Sequence, residues 1–240
     1  MDISPIRTKD KKGANVKYVL AMIMLLSGAM STFAQRKSPG SNTIIWDIDN
    51  LNRIGDYKPL VIGNPIQVKD KFGQSLSFNG IDQGLIVPAI PLEGWVKFTI
   101  EVLFKPDGDG PAAPRFVHFE DKDGNRGTIE ARITPERHWY LDTFLKNGTT
   151  GKGLALIDST LLHPTDRWYW VALTYDGRKM TSYINGAKEH EGAPDFTVLN
   201  QGKTSIGVRL NQVNWFKGLI HEIRFHPEAL TAAALQKTPK

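Results

Sequence analysis

The residues best suited to ligand chemistry form a polar row on one predicted strand. Glu130 and Arg132 alternate there with apolar residues, so they share one strand face. By the same alternation, Arg209 and Asn211 point outward along a second predicted strand, Thr204–Leu210, and its end. Carboxylate, guanidinium and amide groups hydrogen-bond sugar hydroxyls. This face is therefore predicted to bind a ligand, with a plain solvated sheet face as the other interpretation.

Two tryptophans could add an apolar platform for a pyranose ring. Trp139 and Trp215 lie near the polar row, and packing in the core or in a hairpin is the other interpretation of each. Asp142 lies on the strand after Arg132, on the face opposite Trp139. The complete set of candidate ligand-binding residues is Glu130, Arg132, Trp139, Asp142, Arg209, Asn211 and Trp215.

The N-terminus has the pattern of a cleavable export signal. Residues 1–17 carry five basic side chains, and an uncharged apolar run of about 17 residues ends in small residues at Ala34. A spanning helix needs about 20 residues, so cleavage before Gln35 is favoured over a retained anchor. We predict a signal peptide over residues 1–34, a linker over 35–42, one domain over 43–236 and a tail over 237–240. The protein is thus predicted to be exported to the periplasm, the cell surface or the medium.

Removal of the leader changes the charge balance. The leader contains five of the 30 basic residues and two of the 25 acidic ones, which leaves a net charge of +2. This small charge gives no argument for nucleic acid, and no membrane insertion is expected after cleavage. The chain has no cysteine, so its stability must come from the core and the sheets.

The body of the chain reads as a succession of short strands. In Phe98–Phe104, alternate residues are apolar, and Trp168–Tyr175 and Leu219–Phe225 read the same way. Asp176-Gly177 and Asn185-Gly186 suit tight hairpin turns. Many short strands with Gly turns predict an all-β, two-sheet antiparallel jelly-roll sandwich. Pro227–Gln236 adds a predicted short C-terminal helix.

Four ordered blocks resemble laminin-G-like domains of the concanavalin A-like lectin/glucanase superfamily. The blocks are Ser75–Pro88, Phe98–Gly108, Trp168–Gly192 and Trp215–Leu230, and together they cover most of the predicted domain. One departure is His221-Glu222, where relatives often read Asp-Glu. The resemblance implies the sandwich fold, but this fold includes lectins, adhesion modules, glucanases and lyases, so it does not transfer a function.

The resemblance raises two kinds of polysaccharide-cleaving enzyme. Glucanases of the superfamily carry Glu-x-Asp-x-x-Glu on one strand, whereas the run Glu120–Gly124 here enters a Gly turn and is read as a solvated loop. Jelly-roll alginate lyases use Arg, His and Tyr on neighbouring strands, and His118, Arg132 and Tyr140 are of those types. Their order along the chain does not match that family, so no catalytic residue is assigned.

Calcium is the one metal that the sequence makes possible. Calcium takes six to eight oxygen ligands, and Asp47, Asp49, Asn79 and Asp82 lie near predicted turns. Their spacing is not diagnostic, so the metal ligands are unknown and no other cofactor is predicted. The six histidines lack the spacing of a zinc site.

Three functional hypotheses remain. The leading one is a non-catalytic carbohydrate-binding, lectin-like domain with a polysaccharide or glycan as its partner. The second is an adhesion domain that binds protein, and the third is a polysaccharide lyase or glycoside hydrolase. A groove lined by the polar row favours the first or third, and a flat face with an apolar centre favours the second. Convergence of two of His118, Glu130 and Tyr140 in that groove would favour the enzyme.

Overall fold

The computed structural model describes the backbone of residues 36–37 and all of residues 42–238. The predicted signal peptide, most of the predicted linker and the last two residues of the tail lie outside the described residues. The described part of the chain contains no helix that is long and apolar enough to cross a membrane.

Within the described residues, seventeen strands form two antiparallel sheets, which confirms the predicted all-β sandwich. The strands are β1 Arg36–Lys37, β2 Ile44–Asp47, β3 Leu60–Ile62, β4 Ile66–Asp70, β5 Gly73–Asn79, β6 Gly84–Val87, β7 Phe98–Pro106, β8 Arg115–Asp121, β9 Arg126–Ile133, β10 His138–Lys146, β11 Gly153–Ile157, β12 His163–Pro164, β13 Tyr169–Tyr175, β14 Met180–Ile184, β15 Ala187–Gly192, β16 Gly202–Ile206 and β17 Lys217–His226. The nine-stranded sheet has the order β1-β2-β17-β7-β13-β14-β15, with β5 paired to β17 and β4 paired to β5. The eight-stranded sheet has the order β11-β10-β9-β8-β16-β6-β3, with β12 paired to β10.

The core lies between the two sheets and follows from the strand alternation. In β7, the side chains of Phe98, Ile100, Val102 and Phe104 are buried in the hydrophobic core. The Phe104 ring stacks on Phe116 of β8 with centroids 4.2 Å apart, so the two sheets meet through aromatic contacts. The inward faces are therefore filled, and ligand chemistry is left to the outward faces.

The predicted hairpin turns are confirmed. β13, β14 and β15 form a meander, and its second turn has Asn185 at φ 49° and Gly186 at φ 76°. Two consecutive positive φ angles match the turn type that joins two-residue hairpins, which Asn-Gly adopts at low cost.

The predicted C-terminal helix is wrong. The segment after β17 contains one turn, closed by a hydrogen bond from Ala234 N to Thr231 O, and no helix. Leu230 N donates to Thr99 Oγ1, and Gln236 N donates to Glu101 Oε1 at 2.6 Å. These backbone donors bind side chains of β7 instead of carbonyls four residues back, and a helix of so few residues is hard to nucleate. The segment is thus fixed on the outward face of the nine-stranded sheet.

Strand β16 is shorter than predicted, and the difference bears on two candidate residues. It ends at Ile206 because Gly207 adopts φ 77°, and a Cβ there would come within 2.6 Å of the Phe78 ring. Arg209 begins a turn that is closed by a 2.8 Å hydrogen bond from Gln212 N to its carbonyl. Arg209 and Asn211 are therefore loop residues, and strand alternation does not set their direction.

Candidate functional site

A polar groove runs across the outward face of the eight-stranded sheet. It has a larger part of about 640 Å³, bordered among others by Ile86, His118 and Asn211, and a smaller part of about 160 Å³, bordered by Glu130 and Asp142. Arg126 and Arg209 border both parts. We call the whole depression the polar groove, and its two parts the β16 half and the β10 half.

Strand register brings the predicted polar row together. Glu130 of β9 lies directly opposite Asp142 of β10 and opposite Arg115 of β8. Arg132 lies opposite Tyr140. Cross-strand partners on one face are about 5 Å apart at Cβ, so the charged groups of three strands meet in the β10 half.

A β-bulge places Arg115 on this face. The register of β8 against β9 shifts between Arg115 and Val117, and both Phe116 and Val117 are buried in the core. Arg115 consequently lies on the same face as His118, although strict alternation would turn it inward with Val117.

Glu130 is a buried carboxylate with one satisfied oxygen. Its residue exposure is 3%. Thr128 Oγ1 donates to Oε1 at 2.8 Å, and Arg115 Nε lies 2.8 Å from the same oxygen. Oε2 has no hydrogen-bond partner among the described residues, although Arg132 Nη2 is 3.5 Å away. Burial raises the pKa of Glu130 above its usual value, and the adjacent Asp142 charge adds to this effect.

Asp142 shows the same division between its two oxygens. Arg132 donates to Oδ2 through Nε at 2.9 Å and through Nη2 at 2.5 Å. Oδ1 is buried and has no hydrogen-bond partner in the described part of the chain. The β10 half thus holds two ion pairs and two carboxylate oxygens that can each accept a further hydrogen bond.

His118 borders the β16 half and offers a donor. Leu210 N donates to His118 Nδ1 at 3.1 Å, so the neutral ring carries its proton on Nε2. His118 Nε2 is buried and unpartnered within residues 42–238, because the nearest carboxylate oxygen, Oε2 of Glu120, is 3.6 Å away. Burial, followed by the charges of Arg209, Arg126 and Arg115, lowers the pKa of His118 to about 3.

The structure places five of the seven candidate residues on the groove lining, namely Glu130, Arg132, Asp142, Arg209 and Asn211, and it excludes Trp139. Trp139 is fully buried, and its ring packs edge-on against Phe104 and Tyr169. It belongs to the core, so its assignment as a sugar platform is corrected. Trp139 and Leu141 are two residues apart and both face inward, whereas Asp142 points outward. Trp139 and Asp142 therefore lie on opposite faces of β10.

The two remaining loop candidates have different positions. Asn211 is exposed and borders the β16 half. Trp215 is half-buried and lies beside Asn214, whose carbonyl accepts a hydrogen bond from Arg115 N, but Trp215 lines neither half of the groove.

Sequence reasoning missed three groove residues. Arg115 faces the groove only because of the bulge in β8, which strand alternation does not predict. Arg126 borders both halves because of the way the strands pair, which the sequence of one strand does not show. Phe144 alternates with Asp142 on β10, so the strand period carried a signal for an aromatic ring on this face.

The acidic run was predicted to be a solvated loop, which is correct only for the turn at residues 122–124. Glu120 and Asp121 end β8, and the buried Asp121 Oδ1 accepts hydrogen bonds from Asp123 N and Asn125 N.

No metal site is assigned. Among the described residues, no three His, Asp or Glu side chains converge in the way that a metal ion requires. Two of the oxygen-bearing candidates, Asn79 and Asp82, hydrogen-bond each other at 2.8 Å.

Two packed antiparallel sheets with this connectivity define a jelly-roll sandwich. A Laminin G family model, described as the concanavalin A-like lectin/glucanases superfamily, matches residues 79–236, and the chain therefore belongs to this superfamily. A search of curated protein sequences found no significant match.

Solved structures support the same fold. Domain 4 of AbnA, an extracellular arabinanase from Geobacillus stearothermophilus in complex with arabinotriose, superposes with a TM-score of 0.55 at 21% identity, covering 79% of this chain and 93% of that one. The binding domain of botulinum neurotoxin DC in complex with SialylT gives 0.58 at 13%, covering 80% and 49%. A variant of NanB sialidase from Streptococcus pneumoniae gives 0.54 at 14%, covering 74% and 28%. The chain thus spans most of the arabinanase domain but about half or less of the other two proteins.

Proposed function

We propose that this chain is an exported, non-catalytic carbohydrate-binding domain whose ligand lies in the polar groove. One observation carries the proposal: the groove holds two buried carboxylate oxygens, Glu130 Oε2 and Asp142 Oδ1, that have no hydrogen-bond partner in the described part of the chain. A buried acceptor without a donor costs about 1 to 3 kcal/mol. Sugar hydroxyls supply such donors.

The ion pairs around these oxygens suit binding because they hold the acceptors in place. Arg132 fixes Asp142 through two nitrogens, and Thr128 and Arg115 fix Glu130 through one oxygen. A site that is ordered before the ligand arrives loses less entropy on binding. The carbohydrate complexes of the arabinanase domain and the toxin binding domain add support for the ligand class.

The other hypotheses have weaker support. Within the described residues, no hydrogen bond joins any two of His118, Glu130 and Tyr140. Thr128 and Arg115 engage Oε1 of Glu130, and its Oε2 has no histidine or tyrosine partner among the described residues. The face is a charged groove, whereas a protein-binding face was expected to be flat with an apolar centre.

The first test is binding by the full chain to a panel of neutral and acidic polysaccharides. Glu130→Gln with Asp142→Asn should weaken glycan binding at least tenfold, because two charge-assisted hydrogen bonds are lost. Isothermal titration calorimetry measures the affinity, and thermal unfolding checks the fold.

Glu93→Gln with Glu228→Gln is the matched control, because both residues are exposed and lie outside the groove lining, and this double variant also loses two negative charges. If no polysaccharide binds, the proposal fails. Release of unsaturated or reducing ends from any bound polymer would contradict the non-catalytic assignment.

A second test concerns the aromatic part of the site. Phe144 borders the β10 half. Trp215 is half-buried and follows Asn214, whose carbonyl binds the backbone of the groove residue Arg115, and it is proposed as a second aromatic contact. Phe144→Ala and Trp215→Ala should each weaken glycan binding several-fold, since a stacked aromatic contact contributes about 1 kcal/mol. Trp168→Ala, which removes a half-buried tryptophan outside the groove, should leave the affinity unchanged. Unchanged binding by Trp215→Ala would remove Trp215 from the site.

A further inference from the structure

The cations of the polar groove that are not held in close ion pairs lie in the β16 half and where the two halves join. In the β10 half, Arg115 is paired with Glu130 and Arg132 with Asp142. The β16 half is bordered by four cations, Lys122, Arg126, Lys203 and Arg209, and by two carboxylates, Glu120 and Asp121. Since Arg126 and Arg209 also border the β10 half, each half has four cations and two carboxylates. The cations outside the two close ion pairs are these two shared arginines and the two lysines of the β16 half.

One of these two carboxylates is already engaged by the protein. Asp121 accepts hydrogen bonds from the backbone nitrogens of Asp123, Asn125 and Asn200. Burial alone would raise the pKa of Asp121, but these hydrogen bonds keep the pKa below its usual value. The carboxylate therefore stabilises the β8–β9 turn and leaves Glu120 as the main counter-charge for the cations.

Glu120 forms only a long ion pair with Arg126 and no ion pair with Arg209. Arg126 Nη1 is 3.9 Å from Glu120 Oε2, and the Arg126 guanidinium lies 5.7 Å from the centre of the Phe144 ring. The Arg209 guanidinium has no hydrogen bond or ion pair with the rest of the described chain. Both side chains border both halves, so the uncompensated charge lies where the halves join.

A buried donor at the same place adds direction to this charge. His118 is 1% exposed and borders the β16 half, and its Nε2–H has no hydrogen-bond partner among the described residues. The charges of Arg209 and Arg126 act on the His118 ring, so the three groups share one electrostatic environment. Guanidinium groups and N–H donors are the kinds of group that bind the oxygens of a carboxylate or a sulfate.

We propose that the Arg126–Arg209–His118 cluster binds the anionic group of an acidic polysaccharide, either a uronate carboxylate or a sulfate ester. This inference rests on the proposed function and specifies its ligand class. The hydroxyls of the same or a neighbouring sugar would then lie over Glu130 and Asp142 in the β10 half. A neutral polysaccharide would leave the cluster without its partner.

The experiment uses polymer pairs that differ only in charge. Binding of the full chain is measured by calorimetry to polygalacturonate and its fully methyl-esterified form, and to dextran sulfate and dextran. The charged member of at least one pair should bind at least tenfold more tightly, and raising the salt concentration should reduce the difference. The pair that shows the preference identifies the carboxylate or the sulfate as the recognised group.

Two variants test the cluster itself. Arg209→Ala should reduce the ratio of the affinities for the charged and the neutral polymer about tenfold. The variant is expected to fold, because the Arg209 guanidinium has no hydrogen bond or ion pair with the described residues. Arg178→Ala is the matched control, since Arg178 is exposed in the β13–β14 turn and removes the same charge. His118→Asn keeps a side-chain acceptor for Leu210 N but deletes the Nε2 donor, so it should also reduce the preference.

The outcomes separate this inference from the proposed function. Equal affinity for charged and neutral polymers, with binding that still depends on Glu130, would overturn the anion site and leave the carbohydrate site intact. An equal loss in Arg209→Ala and Arg178→Ala would overturn it as well, because the attraction would then be diffuse. Absence of binding to any polymer overturns both.

Discussion

Between pH 6.5 and pH 3, the free energy of unfolding is expected to fall by roughly 4 kcal/mol through His118 alone. In the folded protein, burial and the charges of Arg209, Arg126 and Arg115 lower the pKa of His118 from 6.5 to about 3. Between pH 6.5 and pH 3, His118 is therefore mostly protonated in the unfolded chain and mostly neutral in the folded chain. Stability is lost as the pH falls and is fully present above pH 6.5.

The local contacts explain why the folded ring resists protonation. Nδ1 accepts a hydrogen bond from Leu210 N. Protonation of Nδ1 would place its N–H against the N–H of Leu210, and this hydrogen bond would be lost. Urea unfolding at pH 7, 5 and 3.5 measures the effect in the wild type and in His118→Asn. Carboxylates titrate in both proteins, so the difference between the two pH profiles isolates the histidine. Identical slopes would show that His118 does not control the acid stability.

The second large effect is expected in the core. Phe104→Ala should lower the free energy of unfolding by about 3 to 5 kcal/mol, because it opens a cavity between the two sheets. The ring stacks on Phe116 at 4.2 Å, meets Trp139 at 5.1 Å and lies 6.1 Å from Phe216. Chemical denaturation measures the loss.

Phe144→Ala is the comparison for this substitution. Phe144 is half-buried in the groove, so its removal should cost clearly less stability while it weakens glycan binding. Similar losses of stability in the two variants would contradict the assignment of Phe104 to the joint between the sheets.

Strand alternation predicted part of the site because β9 is regular. Glu130 and Arg132 lie on the outward face, and register places Asp142 beside Glu130. The same alternation argues against Trp139 as a surface residue, since Trp139 and Asp142 are three residues apart on β10 and cannot share a face. The sequence pattern therefore contained the correction, although residue type alone favoured a platform.

The remainder of the site depends on features that one strand does not encode. The bulge in β8 turns Arg115 toward Glu130, and Gly207 ends β16 so that Arg209 enters a loop. The predicted C-terminal helix failed for a similar reason, because Thr99 and Glu101 of a distant strand bind its backbone donors. Each of these outcomes depends on contacts between segments that are far apart in the chain.

The fixed C-terminal segment also determines how the domain can be displayed. Gln236 N binds Glu101 on the outward face of the nine-stranded sheet, and Thr238 N donates to Asn185 Oδ1 at 3.2 Å beside it. The polar groove lies on the opposite side of the sandwich. If the domain is attached to a bead or a sensor chip through a C-terminal tag, the nine-stranded sheet would therefore face the support. The groove would face the solution and stay accessible to large polymers.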